Sequence, residues 1–366
     1  MIDNRIPWWA PKVGGEELEL VREVLASQYI NDGDVTARFE QEIARLVGAR
    51  YAVAATSGTA ALFLSLAALG IGHGDEVLVP DMTFIATANA VTLTGATPVL
   101  VDVDPATLNI SVDAVARALT PMTRAVIPVH VSGRAADLLG LEAVCAPRRV
   151  AIVEDAAEAF TSTVGGRALG TIGALGCFSF SPNKTVTTGQ GGVVVTNDDG
   201  LHVRLRELKD QGRSVRGTGG ADTHAAIGFN FKLTNLQAAV GLAQLGRLHD
   251  RVARQRRTYR QYARALADVP QVCLPGFDVD GGEVPQWVDV LATRRDALDE
   301  YLLARGIECR RFWHPIHTQA PYRRPDALFP ESTQVSSRAL WLPSAFTLTD
   351  VDVETVCAEI RRFYSA

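Results

Sequence analysis

From Tyr51 onward, short apolar runs alternate with small-residue turns and stretches of helical spacing. AVAAT (52–56), EVLVP (76–80), TPVLVDV (97–103), RAVIPVH (124–130) and VAIVED (150–155) read as strands, being short, β-branched and bounded by turn residues. The intervening 59–70, 84–94, 111–119 and 137–145 place apolar residues at helical spacing. CFSF (177–180) and VVVT (193–196) add two further strand-like pieces. Val- and Ile-rich strands separated by helices predict an α/β fold with a largely parallel sheet covered on both faces.

The flanking regions differ. Residues 1–14 read as an extended arm rich in Trp and Pro, and Glu16–Ala26 and Ala37–Val47 as helices around a loop at Gly33. After VVVT comes a helix over 201–210, then the glycine-rich QGRSVRGTGG (211–220), read as mobile or ordered by a neighbour. Thr234-Asn-Leu-Gln237 matches a capping box and opens a helical run over 235–266, long enough to bridge two domains. Beyond 269 the pattern changes to a strand at Trp287–Ala292, a helix at 295–305, the aromatic CRRFWHPIHTQAPY (309–322) and a terminal helix at 350–363. This predicts an arm and large domain over 1–245, and a bridging helix with a smaller α+β domain over 246–366.

Sites in parallel sheets gather at the carboxyl ends of the strands. Ser57, Thr83 and Phe84, His130 and Asp155 all fall there. Between the last two strands lies SFSPNKTVTTGQGG (179–192), where Lys184 sits among hydroxyl residues and glycines. Only four of the 36 basic residues are lysines (Lys12, Lys184, Lys209, Lys232), the rest being arginines. Arginine cannot form a Schiff base; a desolvated lysine can. Ser57-Gly58-Thr59, opening an apolar helix after a strand, suits a phosphate, although Ser and Thr are also ordinary N-caps. Asp155 reads either as a helix cap or as the carboxylate a protonated pyridine nitrogen requires. Glu158 falls on the same side of a following helical turn. Together these make a pyridoxal phosphate (PLP) site.

Composition narrows the classes. At 366 residues and 47% hydrophobic, the chain can bury a sizeable core, and a net charge of −5 argues against a nucleic-acid groove. No run is apolar enough for a signal sequence or a membrane span, and the five cysteines show no C-x-x-C pair, which predicts a soluble cytoplasmic chain with reduced thiols. His314 and His317 form H-x-x-H, but Pro315 between them opposes a helical metal site, so no metal is expected. His130 reads as a satisfied buried histidine.

The set SGTAAL, GDEVLVPDMTFIATANAV, TPVLVDVDPATLNI, AVIPVH, VEDAAEAF, CFSFSPNKTVTTGQGGVVVTND and GFNFKLTNLQAAVGLAQL, spanning most of 50–245, resembles the DegT/DnrJ/EryC1/StrS family of sugar aminotransferases. The resemblance implies a PLP fold-type I scaffold with a mostly parallel seven-stranded sheet, and a homodimer with active sites at the subunit interface. It implies that Lys184 carries the cofactor and moves the proton, and that Asp155 pairs with the pyridine nitrogen. Glu158 would face the phenolic oxygen, and Phe84 would stack on the ring. Gly58, Thr59 and Ser179, beside Ser57, would hold the phosphate, with Asn230 reaching it from the partner subunit. Glu158 stands where many members have Gln. With N-K-T-x-T-T-G it is similar to the branch of 4-aminotransferases that includes GDP-perosamine synthase. In that branch Arg310, Trp313 and His317 are candidate sugar-nucleotide contacts. The implied reaction moves the amino group of L-glutamate, through pyridoxamine phosphate, to C4 of an NDP-4-keto-6-deoxyhexose. The alternatives are a cyclitol, 3-keto sugar or other ketone as acceptor, or a non-catalytic PLP-binding regulator.

Overall fold

The computed structural model describes residues 5–214 and 223–365; residues 215–220 of the glycine-rich segment lie outside the described residues. In chain order come β1 (Tyr51–Ala55), β2 (Glu76–Pro80), β3 (Thr97–Val101), β4 (Thr123–Val126) and β5 (Ala151–Asp155). A small hairpin follows, β6 (Thr163–Val164) with β7 (Arg167–Ala168), then β8 (Leu175–Ser179) and β9 (Gly192–Thr196). Seven of these strands form one sheet in the order β1-β9-β8-β5-β4-β2-β3. Only β9 runs antiparallel to its neighbours, β1 and β8. The reason is local. The chain between β8 and β9 contains no helix, so it cannot make the crossover that a parallel partner needs.

The period of two along each strand sorts the core. Val53, Ala55, Val77, Val79, Ala125 and Ile127 pack on one face with the helix Gly58–Ala68. Ala52, Ala54, Leu78 and Val126 pack on the other with Phe39, Ile43, Phe178 and Phe180. The helix Gly58–Ala68 is buried on nearly all sides, which explains why its sequence, GTAALFLSLAA, has no polar face.

A second, antiparallel sheet has the order β10-β11-β13-β12, from β10 (Val272–Cys273), β11 (Val288–Ala292), β12 (Arg310–Arg311) and β13 (Ala339–Leu342). Val288, Val290, Leu340 and Leu342 face the terminal helix Asp350–Ser365 through Val353, Val356 and Ile360. Trp341 and Leu291 face the other way, packing with Met82, Val129 and Val131 at the strand ends of the large sheet. The active cavity lies at that junction.

One expectation needs correction. The run 235–266 is not one helix but two, Asn235–Leu245 and Leu248–Ala265, interrupted at Gly246 and Arg247. Glycine is a poor helix former, and the two halves pack on different partners, the first on helices Gly15–Ala26 and Asp34–Val47, the second on the terminal helix. The N-terminal arm touches the small sheet as well as the segment before Lys184. Ile6 bridges Ile307, and the Trp8 carbonyl accepts from Ser344 N at 2.9 Å. Among the described residues no helix is long and apolar enough to cross a membrane.

Candidate active site

The lysine loop is an excursion pinched at its neck. Phe180 N donates to Gly191 O at 2.9 Å and Thr188 N to Phe180 O at 3.0 Å. Within it, Lys184 N donates to Ser181 O at 3.1 Å, which turns the side chain inward. The next residue is tied from outside. Arg251, buried in the helix Leu248–Ala265, donates to Thr185 O at 2.6 Å, and Gln255 donates to Thr185 Oγ1 at 2.9 Å. Nothing in the local sequence around Lys184 announces those two residues.

Lys184 Nζ lies 3.3 Å from Glu158 Oε1 and 4.8 Å from the centre of the Trp287 ring. The other carboxylate oxygen of Glu158 accepts from Ser132 N at 2.9 Å. Burial pushes the Glu158 carboxyl above its ordinary range, and the Lys184 charge opposes this. Asp155, at the end of β5, accepts from Thr87 Oγ1 at 2.9 Å and from Ala157 N at 3.2 Å. Burial raises its carboxyl too, against the Thr87 and Ala157 donors and the Lys184 charge. The chain after Asp155 is a turn, not the expected helical one, yet Asp155 and Glu158 both line the cavity.

That cavity, about 310 Å³, is walled by the ends of β1, β2, β5 and β8 and by the small sheet. Ser57, Gly58, Thr59, Phe84, Asp155, Glu158, Ser179, Lys184, Arg310 and Trp313 all line it. Ser57 caps the helix Gly58–Ala68, accepting from Ala60 N at 3.1 Å, so the open end of that helix points at the cavity. A Cβ on Gly58 would lie 2.9 Å from Ser179 Cβ, and one on Gly192 only 2.2 Å from Ser57 O. The glycines thus bring the helix start, β8 and β9 into contact, leaving the hydroxyls of Thr59, Ser179 and Ser181 around one end of the cavity.

Two predicted residues lie elsewhere. Asn230 is exposed and bridges Asp210 in this chain. His317 does not reach the cavity. It is fully buried, with Nδ1 2.6 Å from Asp81 Oδ2, Nε2 3.3 Å from Asp326 Oδ1, and its ring stacked on Phe329. Asp81 also accepts from His317 N at 2.8 Å, so this residue pins the segment carrying Trp313 onto the end of β2. Removing one partner of a buried pair leaves the other uncompensated. His317→Ala is therefore expected to cost about 3 kcal/mol, read as a clear fall in the Tm of the cofactor-free protein. An unchanged Tm would show that the Asp81 contact holds nothing.

His130 has the satisfied role read from sequence. Its Nδ1 accepts from Ala136 N at 3.1 Å, so Nε2 carries the proton toward Glu154 Oε2 at 3.0 Å. Burial works against the Glu154 charge, but His130 and the N–H groups of Gly170, Ile172 and Gly173 outweigh it and hold this carboxyl below its ordinary range.

Sequence reading missed the aromatic wall. All five tryptophans gather here. Trp8 lies 5.4 Å from Trp287, Trp287 lies 4.9 Å from Trp341, and Trp341 lies 4.8 Å from Trp313. The Arg310 guanidinium sits 4.8 Å over Trp8, and Trp9 Nε1 donates to Pro182 O at 3.1 Å, so the arm touches the lysine loop. The sequence signals were the richness of residues 1–14 in Trp and Pro and the aromatic segment 309–322, and neither shows that the two meet.

Comparison with known proteins gives relatives along nearly the whole chain. The chain is 38% identical to a GDP-perosamine synthase of Caulobacter vibrioides over 366 residues, covering 97% of each chain. The aminotransferase TlmJ from Streptoalloteichus hindustanus superposes with a TM-score of 0.92 at 35% identity, covering 99% of both chains. The Streptococcus pneumoniae protein Spr1654 in its PLP form gives a TM-score of 0.92 at 25% identity, covering 98% of both. Residues 11–361 match the family description that the motifs around Lys184 and Asp155 had suggested, and the chain belongs to the DegT/DnrJ/EryC1/StrS aminotransferase family.

Proposed function

We propose that this protein is a PLP-dependent aminotransferase that takes the amino group of L-glutamate and delivers it to a keto sugar nucleotide, at C4 of an NDP-4-keto-6-deoxyhexose. The observation that carries the reading is Lys184 Nζ held against Glu158, in a cavity shared with the buried carboxylate of Asp155. The residues fit the cofactor at both ends. The helix start at Ser57–Thr59 with the Ser179 hydroxyl suits a phosphate, and Asp155 suits a pyridine nitrogen.

When bound, PLP supplies the carbonyl that receives the amino group and an electron-withdrawing ring. Lys184 anchors it and moves the proton between cofactor and substrate carbons. Asp155, its orientation set by Thr87 and Ala157, keeps a proton on the ring nitrogen. Glu158 accepts from Ser132 on one side and balances the Lys184 charge on the other. Phe84, at the cavity wall, would lie against the ring, Thr59 and Ser179 would hold the phosphate, and Asn230 would complete that site from a second copy in a homodimer. Arg310 and Trp313 at the cavity wall contact the sugar nucleotide. The substrate assignment draws on the likeness to the Caulobacter enzyme and on the branch-like N-K-T-x-T-T-G loop. A cytoplasmic setting suits five free cysteines.

Mixing the purified holoenzyme with L-glutamate is expected to convert the cofactor spectrum from the pyridoxal to the pyridoxamine form, and a nucleotide-linked 4-keto sugar to restore it. Restoration by a free cyclitol ketone alone would overturn the substrate class. No conversion by any amino donor would overturn the reaction.

A further inference from the structure

Ser132, in the segment HVSGRAADL, engages every polar group it has. It is fully buried in the turn after β4, with φ at +53°, the left-handed region that side chains other than Gly rarely adopt. Its N–H donates to Glu158 Oε2 at 2.9 Å. Its hydroxyl donates to Asp289 Oδ1 at 2.6 Å and accepts from Trp341 Nε1 at 3.0 Å, and its carbonyl accepts from Gln286 N at 2.8 Å. Thus one contact runs to the acid beside Lys184, and three run to the small sheet or the residues leading into it.

The surroundings leave this turn no slack. Asp289 Oδ2 accepts from Arg134 Nη2 at 2.9 Å, and the buried guanidinium is in turn held by the carbonyls of Gly276 and Thr107 at 2.8 and 2.9 Å. At Gly133, φ is +99° and a Cβ would lie 2.1 Å from Val284 O. An unusual backbone conformation persists only where its surroundings over-determine it. Here they do so through the side chain of the same residue that presents its N–H to Glu158.

We propose that Ser132 is the positioning residue through which the four-stranded sheet holds Glu158 against Lys184. The hydroxyl is the anchor and the peptide N–H is the working contact. Without the hydroxyl, the Asp289 and Trp341 contacts go and the turn can relax toward ordinary backbone angles. The N–H then turns away from Glu158 Oε2, so the carboxylate loses a donor that favours its charged form and its pairing with Lys184 Nζ loosens. The proposal deepens the transferase reading, because the role of the Lys184–Glu158 pair rests on it, but its test needs no turnover.

The test measures acetylation of Lys184 in cofactor-free protein at neutral pH, by mass spectrometry of its peptide. Ser132→Ala is expected to speed acetylation about threefold or more. Ser162→Ala, which removes contacts to Gly133 O and Val284 N in the same junction, should lower Tm and leave the Lys184 rate unchanged. In a Glu158→Gln background the added Ser132→Ala should have no further effect, since both changes act through one contact. Should Ser132→Ala fail to fold, Asp289→Asn, which keeps the shape and weakens the anchor, should speed acetylation in the same way. A wild-type rate in a folded Ser132 or Asp289 variant, a matching rise in Ser162→Ala, or full additivity with Glu158→Gln would overturn the proposal. A protein inert toward every amino donor would overturn the transferase reading and leave this result standing.

Discussion

Lys184→Ala is expected to abolish amino transfer, lowering the rate by about 10⁴-fold or more. Two functions are lost with one side chain. The cavity loses the only lysine among its lining residues, and with it the group that can hold a carbonyl covalently. It also loses the amine that would carry a proton from one carbon to the next, placed by the pinched loop, by Glu158 at 3.3 Å and by the Trp287 ring at 4.8 Å. Arginine should not rescue, because guanidinium stays protonated and forms no Schiff base. Single-turnover spectra with L-glutamate read the effect directly. Borohydride reduction of the wild type should leave cofactor bonded to the Lys184 peptide, and in the variant none. Turnover near the wild-type rate would end the assignment of Lys184.

Asp155→Asn should divide the molecule's chemistry from its stability. Amide replaces carboxylate with little change of shape, so the Thr87 and Ala157 contacts retain partners. The fixed negative charge proposed to face the ring nitrogen disappears, and we expect the half-reaction with glutamate to slow about a thousandfold, the scale of losing a preorganised electrostatic contact. Stability should move the other way. Burial raises the Asp155 carboxyl above its unfolded value, so the folded state binds this proton more tightly than the unfolded chain. The associated stability is present below the unfolded pKa and is lost as pH rises through the folded one. At neutral pH the charged form is therefore a cost to the cofactor-free protein, and asparagine removes it. A rise in apoprotein Tm of about 2 °C is expected, shrinking as the pH is lowered toward the ordinary carboxylate range. A variant that is both slower and less stable at neutral pH would show that Asp155 is held by more than these two donors.

How much of this was legible depends on how far each partner lies along the chain. β2 was readable to the residue because EVLVP is a short apolar run between turns. Ser57 was readable as a helix start, and Thr234 with Gln237 as a capping box, because caps are local. Asp155 and Lys184 stood out by contrast, a carboxylate and a rare lysine against buried strands. His317 looked like a substrate contact because its segment resembles that of the 4-aminotransferase branch, whereas its ring turns to Asp81, more than two hundred residues earlier. The direction of β9 and the break at Gly246 were hidden for a related reason. Apolar periodicity reports which face is buried, not which neighbour buries it.

By itself, then, the sequence determined the class of sheet, the start of the helix Gly58–Ala68, the two charged groups Asp155 and Lys184 and the family, since each is carried by residues within a few positions of one another. Tertiary structure alone decided that five tryptophans from both ends of the chain form one wall. It also decided that Arg251 and Gln255 steady the lysine loop, and that Ser132, beside Glu158, reaches Asp289 157 residues further on. Those contacts cost loop closure and arise only when two sheets pack face to end, so no local pattern encodes them.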